Sequence, residues 1–117
     1  MLPKTNRLTS QADFSETKNK GKVLQSSSFG IVFQKRNDSE PSRFGFIVSN
    51  KVSKKATERN KIKRLLREAV SVFLKDTKSG RNVLFLAKGA LVGRKFDKLL
   101  EEVRQSLGSA GIFKKDG

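Results

Sequence analysis

The chain has 117 residues, with 26 Lys and Arg against 11 Asp and Glu, no His and no Cys, enough for one domain around one modest core. A net charge of +15 repels itself in a compact state and points to a polyanionic partner, whose condensed counterions Lys and Arg displace. The missing Cys exclude disulfides and a thiolate nucleophile, the missing His remove the commonest general base and zinc ligand, and no apolar stretch approaches the roughly 20 residues of a membrane-spanning helix.

In chain order, residues 1–10 carry no apolar run after their charges, so no secretory signal is expected. The lack of Cys fits a cytoplasmic protein. No repeat, low-complexity tract or linker interrupts the chain, and a single domain over 1–117 is expected. Ser10 followed by Asp13 predicts a helix start, and Gly21 its stop. Phe14 and Lys18 then lie one turn apart on a common face. Residues 23–25 are a short extension or a separate strand. Residues 29–35 read as a strand, 36–42 with Asn37-Asp38 and Pro41 as a turn, and 43–50 as a second strand, predicting an antiparallel hairpin.

Residues 57–75 give the clearest helix. Ile62, Leu65, Leu66, Ala69, Val70 and Phe73 follow the i, i+3, i+4, i+7 spacing, with Thr57 as the N-cap. The continuous run Val83-Leu84-Phe85-Leu86, between Gly80 and Gly89, suits a strand buried on both faces in the middle of a sheet. Phe96, Leu99, Leu100, Val103 and Leu107 mark a last amphipathic helix stopped at Gly108. Helix, strands, helix, strand, helix predicts an α+β or α/β sandwich. With no Trp or Tyr, the nine Phe must also build the core, to which Phe33, Phe44, Phe46, Phe73, Phe85 and Phe96 are assigned.

On a helical wheel with roughly 100° per residue, Asn60, Lys63, Arg64 and Arg67 form one stripe opposite the apolar face, flanked by Arg59 and Lys61. A solvated helix face normally interleaves Glu with Lys at i, i+4. Here Glu58 and Glu68 stand only at the ends, so the middle is cationic without an internal partner. That stripe suits a ribose-phosphate backbone, where Arg forks and Lys point charges meet phosphate oxygens. The acidic residues are scattered, so no catalytic residue and no metal ligand is assigned to this chain.

The string Arg59-Asn60-Lys61-Ile62-Lys63-Arg64-Leu65-Leu66-Arg67 resembles the signature helix of the bacterial ribonuclease P protein family, Arg-Asn-x-x-Lys-Arg-x-x-Arg. Lys61 stands where the family often has a second Arg, which keeps the charge and loses the bidentate fork. Asn6-Arg7-Leu8, Phe14, the segment from Arg43 to Lys51 and the late strand extend the likeness over most of the chain. Lys18 departs from a usual aromatic, and Asn50 from a usual Lys.

The resemblance implies an α-β sandwich in the order α-β-β-β-α-β-α. That fold has one mixed sheet with helices packed on one side and a left-handed crossover, and it is similar to the second domain of a ribosomal small-subunit protein. It implies the accessory subunit of an endoribonuclease that removes the 5′ leader of precursor tRNA. The RNA subunit would hold the Mg²⁺ and carry the chemistry, the protein alone being inactive.

Its partners would be ribonuclease P RNA and precursor tRNA, with no membrane and no obligate protein partner. Arg59, Asn60, Lys61, Lys63, Arg64 and Arg67, with Lys54 and Lys55 in the preceding loop, would face the catalytic RNA. Phe14, Lys18, Phe29, Ser49 and Lys51 would line a cleft for the single-stranded leader, by aromatic stacking and cationic contacts. A ribosomal or other structural RNA-binding protein, a basic DNA-binding module and a protein-only nuclease are the competing readings.

Overall fold

The computed structural model describes residues 2–114. After a 3₁₀ turn at Lys4–Asn6 come α1 (Gln11–Lys20), β1 (Lys22–Gln25), β2 (Phe29–Lys35), β3 (Arg43–Ile47) and α2 (Ala56–Phe73). A 3₁₀ turn at Leu74–Asp76, β4 (Arg81–Ala87), a 3₁₀ turn at Gly89–Leu91 and α3 (Phe96–Ser109) follow. The expected α-β-β-β-α-β-α order is the observed one.

The four strands make one mixed sheet in the order β1-β2-β4-β3. Residues 23–25 are thus a separate strand, antiparallel to β2. The expected hairpin between β2 and β3 does not form. β4 lies between them, antiparallel to β2 from Phe29↔Ala87 to Lys35↔Arg81 and parallel to β3 from Arg43↔Asn82 to Ile47↔Leu86. The reason is apolar demand: Val83, Leu84 and Phe85 are all fully buried, and only a central position covers both faces of such a strand.

The 36–42 connection therefore crosses the end of β4 instead of turning tightly. Arg36 holds it, donating through Nη1 to the Arg81 carbonyl and Asn82 Oδ1 and through Nη2 to the Glu40 and Pro41 carbonyls. It also pairs with Asp38 at 3.0 Å. That bond is the main reason the Asp38 carboxyl sits below its ordinary range. Gly80 meets this loop at φ +74°, and a Cβ there would lie 2.6 Å from the Asp38 carbonyl oxygen, so position 80 needs glycine on both counts.

Strand alternation sorts the side chains to two faces. Phe29, Ile31, Phe44, Val83 and Phe85 join Ile62, Leu66, Ala69 and Val70 of α2 and Leu99, Val103 and Leu107 of α3 in one core. On the other face, Val32 and Leu84 are buried with Leu8, and α1 lies over β2 and β4, with Thr17 Oγ1 donating to Gln34 Oε1 at 3.5 Å. Helices thus cover both faces, which corrects the expectation of one side.

Ser10 caps α1, its hydroxyl accepting from the Asp13 N–H, and Gly21 ends that helix. Thr57 is not a cap. The second helix begins one residue earlier, at Ala56, with Lys55 in the cap position and no side-chain cap bond. Phe96 is 37 % exposed, not in the core, because the first α3 residue to reach the core is Leu99.

Glu102, of the adjacent Glu101-Glu102 pair, turns inward from α3. Its carboxylate accepts from the Ser26 hydroxyl and from the Ser28 N–H and hydroxyl, and pairs with Arg94 at 2.9 Å. One side chain so ties the β1–β2 turn and the 92–95 loop to the helix.

Candidate nucleic-acid interface

The α2 stripe forms because the helix buries Ile62, Leu66, Ala69 and Val70 and leaves the remaining arc to polar residues. Asn60, Lys61 and Arg64 are exposed, while Arg59, Lys63 and Arg67 are half-buried. Among the described residues, Lys61, Lys63, Arg64 and Arg67 have no carboxylate within ion-pair distance. Arg59 differs from its neighbours. Its Nη1 donates to the Ser53 carbonyl at 2.9 Å, so it braces the loop that presents Lys54 and Lys55, both exposed.

The α1 side centres on Phe14. A cavity of about 280 Å³ opens at the β3 edge between α1 and α2, lined by Arg7, Leu8, Phe14, Gly45, Phe46 and Arg67. Three local features build it. The Leu8 N–H donates to the Phe44 carbonyl at 2.9 Å and so holds the N-terminal segment against β3. Gly45 lets the Phe14 ring approach, since a Cβ there would stand 2.9 Å from its Cε2. Arg67 reaches the cavity from α2. An aromatic ring, two guanidinium groups and an open mouth are what an unpaired nucleotide needs.

The expected two groups of residues thus meet at Phe14 and Arg67. Lys18, Ser49 and Lys51 are exposed but do not line this cavity. Phe29 is a correction. It is fully buried on the opposite face, its ring 5.2 Å from that of Phe85, so it belongs to the core and offers no stacking surface. Arg7 and Gly45 were not expected as site residues. Their signals were the Asn6-Arg7-Leu8 motif and a glycine inside an apolar strand, which often marks a close approach.

Residues 2–111 match the pattern of the family described as Ribonuclease P. The chain belongs to the ribonuclease P protein family. The ribonuclease P protein component of Synechocystis is 36% identical over 112 residues, covering 96% of this chain and 90% of the relative. Among solved structures, a variant of the Staphylococcus aureus RNase P protein superposes with a TM-score of 0.84 at 25% identity, covering 94% of this chain and 92% of that one. The Thermotoga maritima RNase P protein gives 0.78 at 28% identity, with 95% and 98% covered. Ribonuclease P membership assigns the chain to the RNA-binding proteins of tRNA processing and makes it a subunit of a ribonuclease complex with ribonuclease P RNA.

Proposed function

We propose that this protein is the RNA-binding accessory subunit of ribonuclease P, and that it holds the catalytic RNA with α2 and the 5′ leader of precursor tRNA in the Phe14 cavity. The unpartnered cations of α2 carry the reading. A row of Lys and Arg without acidic neighbours costs the free helix stability through repulsion, and a phosphate backbone removes that cost. Lys54, Lys55, Asn60, Lys61, Lys63, Arg64 and Arg67 meet the catalytic RNA, with Arg59 fixing the loop.

Phe14 stacks on a leader base, while Arg7 and Arg67 sit beside the adjoining phosphates. Lys18, Ser49 and Lys51 extend the leader path along the exposed surface. Among the described residues no three His, Cys, Asp or Glu converge to hold a metal ion. The reading assigns metal and bond cleavage to the RNA subunit. The protein screens RNA–RNA repulsion and adds leader affinity, in the cytoplasm and without an obligate protein partner.

Reconstitution tests this directly. With a ribonuclease P RNA at low Mg²⁺, the protein is expected to restore precursor tRNA cleavage, and alone to cleave nothing. Robust cleavage by the protein alone, or no stimulation of the RNA, would overturn the reading.

A further inference from the structure

A second cationic surface lies outside α2 and is used by nothing described above. In the sheet register Lys22 faces Phe33, and Lys35 faces Arg81. Directly opposed residues share a face, and 33 and 35 share it by alternation, so three cations and one aromatic ring point the same way. The α3 helix stops at Ser109 and leaves them uncovered. A cavity of about 300 Å³ results, lined by Lys20, Lys22, Phe33, Lys35, Arg81 and Gly111.

Like charges directly opposed across a ladder destabilise a sheet. Among the described residues none of the four cations has a carboxylate within ion-pair distance. Edge protection explains lysines on an outer strand such as β1. It does not explain Lys35 and Arg81, which belong to the two inner strands. Phe33 is half-buried where the core ends, so one part of its ring supports the core and another lines the cavity.

We propose that this end of the sheet is a second RNA contact, holding one unpaired nucleotide with its base on Phe33 and its flanking phosphates on Lys22, Lys35 and Arg81. The inference rests on the chain working on RNA, as proposed above. The site is distinct from the signature helix. Its lining residues come from α1, β1, β2, β4 and the turn after α3, and none belongs to α2.

The chain has no cysteine, so a single introduced thiol carries a photocrosslinker to one place. Lys35→Cys tests the new surface, and Lys61→Cys on α2 serves as the reference. Each is photolysed with ribonuclease P RNA alone, and again with precursor tRNA added, which separates the two RNA sources. The expected result is crosslinking from position 35 to nucleotides different from those reached from 61.

In parallel, Lys22→Ser with Lys35→Ser is expected to lower the salt dependence of RNA binding by about 0.7–0.9 per lost contact. Phe33→Leu keeps an apolar cover on the core and is expected to weaken binding about fivefold or more. Unchanged thermal midpoints keep both variants interpretable. No crosslink from 35 while 61 crosslinks, or crosslinks to the same nucleotides, overturns the second contact and leaves the proposed function standing. No crosslink from either position overturns both.

Discussion

Gly45 and Glu102 show how single residues set the two sides of the sheet. A Cβ at 45 would stand 2.9 Å from Phe14 and 3.0 Å from the buried Leu84. The Phe14 ring is the freer of the two and must yield. Gly45→Ala is therefore expected to cost about 1–3 kcal/mol through overpacking and to push the ring off its seat. Under the leader reading it also lowers discrimination between precursor and mature tRNA, as Phe14→Ala does. Equal lost stability with unchanged discrimination in binding assays would detach Phe14 from the leader.

At Glu102, burial alone would raise the carboxyl. The bonds from Ser26 and Ser28 and the Arg94 charge outweigh it, so the group sits below its ordinary value of 4.5. A depressed folded-state pKa stabilises above the ordinary value and loses that contribution as pH falls through the lowered one. Stability should therefore decline as pH drops below about 4.5. Glu102→Gln is expected to cost about 1–3 kcal/mol at neutral pH, from lost charge-assisted bonds, and to flatten the acid limb. Denaturant midpoints across the acid range, wild type against variant, isolate this residue from the other carboxylates.

At the scale of elements, the cation stripe predicts a split between affinity and discrimination. Arg64→Ala or Arg67→Ala is expected to weaken assembly with ribonuclease P RNA and flatten its salt dependence by about 0.7–0.9 per lost phosphate contact. Because Arg67 also lines the Phe14 cavity, Arg67→Ala alone should, under the leader reading, additionally lower leader discrimination. Salt titrations of binding, done with precursor and with mature tRNA, separate the two effects.

The same scale explains what was legible in the sequence. The period of α2 and the apolar run of β4 are local signals, because burial imposes them residue by residue. Strand order is not local. Two strands with a seven-residue connection read as a hairpin until β4 claims the place between them. The face of Phe29 is not local either: an aromatic in a strand next to a basic helix has the same sequence signal whether it faces α1 or α3. Only the register with Phe85 decides it. The Thr57 cap failed because Lys55 already has the extended backbone of a cap, which residue preferences do not reveal. Arg67 was legible as a cation, but its place beside Phe14 depends on how α2 lies along β3.

For the whole molecule, a charge of +15 on 117 residues makes folding and binding respond to salt in opposite directions. The folded chain holds its cations closer together than the unfolded chain does, and added salt screens that repulsion. Raising salt is therefore expected to raise the unfolding temperature of the free protein. RNA binding releases counterions, and added salt opposes that release. A bound RNA should then stabilise the protein by mass action most strongly at low salt, with the gain shrinking as salt rises. Thermal unfolding with and without ribonuclease P RNA over a salt series gives two curves that converge, the free one rising and the bound one falling. Parallel curves would mean that RNA is held without displacing counterions, and the α2 stripe would lose its assigned role.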